Sequence, residues 1–518
     1  MKSRQKTGGI IKTCKRGANV TRLFGVVLCV ISLAGCADRD RAGSLQFTPC
    51  RMTTLATEVS CATLNVPKKR GAESTPDTLK NNTISLRVIR LPANAPVAEP
   101  DPFFVIPGGP GQSAEAIAPL MVAMTEIRKK RDIIMIDPRG TGASAPISCP
   151  SLANDHASNR SLNILETAAR VTHCLEELRA DHIDPLDYGT LSSVEDIEDT
   201  RRALNVEKIN IWAGSYGTRV ALEYLRRYAQ NTRTLTLDSV VSPSSTILLD
   251  GWQSRATQLR FWLEACEADP TCNKAIDDPS RVLSRLLKRL PRERTVTVVD
   301  PKTGKPQIIA IDFESALAAV LPLLYLPDYA ALTPYILSRA ADYHDFSPLI
   351  TAANAFSSSL EKDVNPALYY AVTCAEDIRP RALPSTTLFT DALRRQSFFA
   401  CSSWPKMRAT ETWGLPVTNT QTPVLILTGD LDPVTPPDLA REVGKTLTQK
   451  KIIVARGTGH IVSTQSCAPA LIASFVNSGS LSRLLGSCVT HLEEGSLPDV
   501  WSNNLGASTA IQEENKHD

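Results

Sequence analysis

Six short runs of uninterrupted apolar residues recur along the chain, and each closes on Gly, Pro or Asp. They are "FFVIPGGPG" from Phe103, "DIIMIDPRG" from Asp132, "KINIWAGSYG" from Lys208, "TLTLDSV" from Thr234, "PVLILTGD" from Pro423 and "KIIVARGTGH" from Lys451. Continuous rather than alternating hydrophobicity marks strands buried on both faces, and helical patterns lie between several of them. The pattern predicts a mostly parallel α/β sheet flanked by helices. Ahead of these runs, "TISLRVIRL" from Thr83 alternates as a half-buried strand does. "SVEDIEDTRRAL" predicts a helix capped by Ser193, with Asp196 in its first turn and Arg201 and Arg202 near its end to match the helix dipole.

Between about 246 and 410 the strand-helix alternation stops. Helical segments such as "SRVLSRLLKRL" and "FESALAAVLPLLYL" take over, interrupted by a hairpin at "TVTVVDPKTGKPQIIAID" whose Asp300, Pro301 and Gly304 supply the turn. This predicts an inserted, mainly helical cap over the carboxyl edge of the sheet. The chain therefore divides into a signal (1–35), an N-terminal segment (36–80), a first part of the core (81–245), the cap (246–410), a second part of the core (411–502) and a polar, disordered tail (503–518). Residues 37–80 are polar and rich in Pro, Thr and Lys, apart from a small loop that Cys50 and Cys61 would close.

Composition alters this picture little: 518 residues with 42% hydrophobic and 21% charged suit a large globular core with an insertion. Charge matters more. The first 35 residues hold seven Lys or Arg and no acid, so removing them leaves 50 basic against 54 acidic residues, a net charge near −4. Nothing remains of the formal +3 to recommend a nucleic-acid partner.

That basic stretch is followed by the apolar run "LFGVVLCVISLAG", Leu23 to Gly35, which is too short to span a bilayer. It reads as an export signal. It ends at Leu33-Ala34-Gly35-Cys36, which resembles a bacterial lipobox, and such a motif implies that Cys36 receives a lipid anchor. Ala37 in the next position implies an outer-membrane, periplasm-facing destination; without lipidation the protein would be periplasmic or secreted. Ten cysteines remain beyond Cys36, and near-neighbour spacing suggests Cys50 with Cys61, Cys149 with Cys174, Cys266 with Cys272, Cys374 with Cys401, and Cys467 with Cys488. Spacing leaves the connectivity open. Disulfides suit an oxidising compartment outside the cytosol.

The chemistry converges on Ser215 in "AGSYG", at the join of a buried run and an amphipathic helix. A nucleophilic serine on a strand-to-helix turn needs small neighbours, and here Ala213 stands where the usual motif carries Gly. Serine also needs a base, and the base needs an acid to orient it. Two acids, Asp430 and Asp432, follow "PVLILTG", and His460 follows "KIIVARGTG"; Asp432 is preferred, with Asp430 shaping the turn. Of the seven histidines His491 is the one rival to His460, because the others precede the acid or lie in the tail. An oxyanion needs two backbone N–H donors. The amide of Tyr216 supplies one, and "PGGPG" supplies the other at Gly109, with Gly108 second.

The ordered set "PGGPG", "DPRGTGAS", "AGSYGT", "GDLDPVTP" and "GTGH" resembles the α/β-hydrolase serine peptidases related to proline iminopeptidase, and among them the secreted bacterial tripeptidyl aminopeptidases. "ACEADPTC" and "TCAED" are similar to that branch too, whereas Pro107 stands where proline iminopeptidases carry His. The resemblance covers roughly residues 80–490. It implies an α/β-hydrolase fold and an exopeptidase that reads the free N-terminus of short peptides, needing no metal or organic cofactor. A buried ammonium demands a carboxylate partner, for which Glu376 and Asp377 are the candidates. An ester or other small-molecule hydrolase using the same triad is the alternative.

Overall fold

The computed structural model describes residues 45–70, 82–152, 164–289, 294–299, 303–311, 316, 319–353, 363–377, 397–407 and 414–501. The predicted signal, Cys36 and the tail from 503 lie outside these residues. Among the described residues no helix is long and apolar enough to cross a membrane.

All six apolar runs form strands of one nine-stranded sheet. In chain order its members are β1 (Thr48–Cys50), β2 (Val59–Pro67), β3 (Thr83–Leu91), β4 (Phe103–Ile106), β5 (Ile133–Ile136), β6 (Ile209–Gly214) and β7 (Thr232–Asp238). The predicted hairpin is a separate pair, β8 (Arg294–Val299) with β9 (Pro306–Ile311), and β10 (Val424–Gly429) and β11 (Lys450–Ala455) complete the sheet. The order across the sheet is β1-β2-β3-β5-β4-β6-β7-β10-β11. From β5 to β11 every pairing is parallel, and β1 to β3 join antiparallel at one edge.

The central strands explain the sequence pattern. Every residue of β4, β5, β6 and β10 is buried, because helices cover both faces. One apolar layer sits under the helices Thr190–Ala203 and Tyr216–Tyr228. The opposite layer packs the helices Ala114–Ala123 and Ala468–Ser478 against Trp212, Leu425 and Ile453. Strand β3 keeps the alternation of its sequence, since only one of its faces meets the core along its first half.

Between β7 and β10 the chain leaves the sheet and builds a third apolar cluster around Leu259, Trp262, Leu324 and Leu337. The long helix Ile247–Ala268 and the helix Pro327–Asp342 carry it, and Leu431 and Trp501 from the sheet-bearing part join it. All five near-neighbour cysteine pairs are bonded, with Cα–Cα distances from 5.0 to 5.8 Å.

Two local expectations fail. The segment around Cys50 and Cys61 is not merely a closed loop: β2 runs nine residues and pairs along nearly all of β3, and because the three-residue β1 covers only its start, Thr63 and Asn65 stay exposed. The helix attributed to a Ser193 cap begins earlier, at Thr190, with Gly189 in the cap position. Its first free N–H, on Thr190, donates to the Glu376 carboxylate at 2.7 Å. A distant acid thus stands where a local cap was expected, and Ser193 lies inside the first turn.

Candidate active site

The parallel strands deliver their loops to one edge of the sheet. Ser215 follows β6 and takes φ 53°, ψ −127°, a left-handed geometry that costs a non-glycine residue about 1–3 kcal/mol. Hydrogen bonds on either side hold it: Ser215 N–H donates to the Asp238 carbonyl at 2.9 Å, and its own carbonyl accepts from Thr218 N–H and from Thr218 Oγ1. Small neighbours permit the approach. A Cβ on Gly217 would stand 2.5 Å from the carbonyl oxygens of Ile106 and Pro107, so only glycine lets the helix start against β4.

The glycine loop after β4 lies directly against the serine, since a Cβ on Gly108 would meet the Ser215 Cβ at 3.0 Å. Gly108 N–H is already donated to Gln112 Oε1 at 3.0 Å. Gly109 is therefore the better oxyanion donor of the two. Tyr216 opens the helix Tyr216–Tyr228, so its N–H belongs to the helix N-terminus, where negative charge is favoured.

His460 Nδ1 lies 2.8 Å from Asp432 Oδ2. Asp432 is buried and fully engaged: Oδ1 accepts from the N–H groups of Val434 and Thr435 at 2.8 and 2.9 Å, and Oδ2 accepts from Thr435 Oγ1 at 2.6 Å. Burial disfavours its charge, but His460 and the Thr435 donors outweigh that and hold the carboxyl well below the usual carboxylate range. His460 experiences the converse. Burial would lower its pKa, whereas the charge and hydrogen bond of Asp432, with a further push from Asp238, raise it, against a smaller opposing effect of Arg255. The Nδ1 contact leaves Nε2 as the nitrogen for proton transfer.

The other sequence candidates fall elsewhere. Asp430 shapes the turn: its N–H donates to Ala455, and its carboxyl is steadied by the backbone of Gly457 and Thr458. His491 is exposed on the helix Gly486–Glu493. Glu376 and Asp377 are 2% and 1% exposed, and both face internal partners. Asp377 pairs with Arg219 at 2.9 Å, while Glu376 accepts from Thr190 N–H and Thr190 Oγ1, each at 2.7 Å. Thr190 Oγ1 also shares a 2.8 Å hydrogen bond with Tyr216 OH. The pair thus supports the helix that carries Tyr216. Burial drives the Glu376 carboxyl up to about 7, against the pull of Arg219 and Thr190.

One functional group escaped the sequence reading. Asp238 ends β7, fully buried, with its main-chain carbonyl on Ser215 N–H. Its carboxylate accepts from the N–H groups of Val462 and Ser463, each at 2.8 Å, and from Ser463 Oγ. Next to it, Ser239 Oγ accepts Ile461 N–H at 2.9 Å. A single residue therefore ties the serine turn to the loop that carries His460. The one available signal was an acid closing the apolar run "TLTLD", which a two-sided buried strand does not otherwise favour.

Comparison with known proteins agrees with this fold. The sequence pattern of a family described as alpha/beta hydrolase fold matches residues 101–465. Carboxylesterase B of Mycobacterium tuberculosis is 26% identical over 516 residues, spanning 89% of this chain and 94% of that protein. Serine protease Hip1 of the same organism is 26% identical over 43% of this chain and 44% of its own length. Tripeptidyl aminopeptidase of Streptomyces coelicolor is 24% identical, covering 68% of this chain and 69% of that protein.

Four measurements test these assignments. Because the raised His460 must lose its proton to act as a base, kcat/KM is expected to rise with pH through an apparent pKa above 6.5. Asp432→Asn should move that limb to lower pH and cut kcat on the order of 10³–10⁴-fold, as loss of the orienting anion does in serine triads; an unmoved limb would contradict the pairing. Asp238→Asn should lower kcat/KM by on the order of 10²-fold through misplacement of the two loops. It should also shift the same limb downward, a change that a purely structural role would not produce. Glu376 keeps its proton in the folded protein where the unfolded chain has lost it, so stability falls as pH rises from 4.5 to about 7. Thermal melts at about pH 5 and about pH 8 should therefore differ less in Glu376→Gln than in the native protein.

Proposed function

This chain belongs to the alpha/beta hydrolase fold family, and we propose that it is an exported serine exopeptidase that cleaves short peptides from the free N-terminus. The observation that carries the reading is the placement of Ser215, Asp432 and His460 after β6, β10 and β11 of one parallel sheet, with His460 bonded to Asp432, both the serine turn and the His460 loop tied to Asp238, and the Gly108–Gly109 loop against the serine.

Chemistry follows from that arrangement. His460 Nε2 takes the Ser215 proton as Oγ attacks the scissile carbonyl, and the N–H groups of Tyr216 and Gly109 receive the oxyanion. The imidazolium, held by Asp432, then gives its proton to the leaving nitrogen, and water repeats the sequence on the acyl-enzyme. The peptide reading is supported by the named activities of Hip1 and the Streptomyces aminopeptidase, both similar to this chain. Export is supported by the basic-apolar leader ending at Cys36 and by the five disulfides, which need an oxidising compartment. Lipidation at Cys36 would tether the protein to a membrane surface. Recognition of the substrate ammonium by Glu376 or Asp377 would require the substrate to reach a cluster in which Arg219 already offsets one of the two charges.

Carboxylesterase activity is the second reading, favoured by the match along 94% of carboxylesterase B. Chromogenic amides with a free N-terminus, their acetylated counterparts and a simple acyl ester separate the two. Turnover confined to free-amine amides, falling at least about 10³-fold in Ser215→Ala, is the expected result. Ester cleavage without amide turnover would overturn the peptidase reading and leave the triad in place.

A further inference from the structure

Among the described residues, one guanidinium beside the triad has no counter-charge. Arg255 lies half-buried on the helix Ile247–Ala268, in the segment inserted between β7 and β10. Its Cζ sits 4.7 Å from the Trp252 ring centroid and 5.8 Å from that of Tyr325. Nη2 donates to Tyr325 OH at 3.0 Å. The Tyr325 ring in turn stands edge-on to His460, with centroids 5.7 Å apart.

Of the five N–H donors of this side chain, one is thus given to a neutral hydroxyl. Nε is buried without an acceptor, as is the indole Nε1–H of Trp252 one turn earlier on the same helix. Among the described residues no carboxylate pairs with Arg255, whereas the buried arginines of the core do pair, as Arg131 does with Asp101, Arg139 with Asp196 and Arg219 with Asp377. A partly desolvated cation without an anion is unfavourable, and its persistence next to a reacting centre calls for a charge that arrives from outside. Aromatic faces on two sides hold the guanidinium plane in place, so the free donors form a fixed fork suited to a carboxylate.

We propose that Arg255 is a carboxylate-recognition site on the leaving-group side of the catalytic centre, so that preferred substrates carry an anionic group just beyond the bond that is cut. The side follows from the triad. The acyl oxygen belongs with Tyr216 and Gly109, whereas His460 faces the leaving nitrogen, and Tyr325 and Arg255 lie beyond His460. An extended peptide advances about 3.5 Å per residue, so a terminal carboxylate one to three residues past the scissile bond spans the ring of Tyr325 to reach Arg255. This rests on the exopeptidase reading for the identity of the substrate: a short peptide whose C-terminal carboxylate stays close to the cut. The anion requirement itself is independent of it.

The test uses the native protein with free-amine tetrapeptides ending either in a carboxylate or in a carboxamide. A matched ester pair, whose leaving alcohol bears a carboxylate or a carboxamide, is run alongside. The native protein is expected to favour the carboxylate member in kcat/KM by on the order of tenfold to a hundredfold, as one charge-assisted hydrogen-bonded pair provides. Added KCl should reduce that ratio by screening. In Arg255→Met the ratio should fall toward one, and Arg255→Lys should restore part of it. A native ratio near one, or a ratio unchanged in Arg255→Met, would overturn the proposal. Should the variants fail to fold, the native ratio and its salt dependence still decide. Turnover of the ester pair alone would defeat the peptidase reading while the ester ratio still reports on Arg255.

Discussion

The candidate site depends on one buried carboxylate that performs no chemistry. Asp238 accepts three donors from the segment Val462–Ser463 while its own carbonyl receives Ser215 N–H, so the nucleophile and the base are referred to a common point. Burying that charge is costly, and the donors around it are what make it tolerable. The positive φ of Ser215, and that of Ile461 beside His460, are then affordable strain: each turn is over-determined by hydrogen bonds to the end of β7. Because β7 lies beside β6 and one strand away from β11, a clasp at its end ties the loops that follow both with no added element.

Legibility from sequence followed the range of the physics. The strands could be read because two-sided burial imposes an uninterrupted apolar run within a single segment, and β4 to β6 and β10 show it, whereas β11, at the sheet edge, keeps an apolar run although it is only partly buried. Ser215, Asp432 and His460 were readable for a related reason, since each sits at the carboxyl end of such a run, where a parallel sheet presents its loops. The turn role of Asp430 was readable from its local chemistry.

What escaped was tertiary. The helix from Thr190 takes its N-terminal acceptor from Glu376, 186 residues away, so the cap is not signalled near Gly189. The same contact also gives Glu376 a supporting place beneath Tyr216 that its sequence neighbourhood does not signal. Asp238 was hidden because its partners lie more than two hundred residues downstream. Strand β2 was missed for the opposite reason: one place in from the sheet's edge, with Thr63 and Asn65 exposed, it needs little apolar character, and its pairing with β3 is carried by the backbone.

These long-range contacts meet at His460. Asp432 and Asp238 both favour its protonated form, and Arg255 opposes them. A base held too strongly protonated is idle at neutral pH, and one held too weakly cannot protonate the leaving group; Arg255 offsets part of the upward push of the two carboxylates. The balance also couples binding to chemistry. A carboxylate seated on Arg255 cancels the only one of these three charge effects that disfavours the imidazolium, and the proton withdrawn from Ser215 is then better retained until the leaving nitrogen takes it. The same substrate charge that selects the ligand thereby strengthens the base at the moment of attack, which places specificity and catalysis on one electrostatic axis running from Arg255 through Tyr325 and His460 to Asp432.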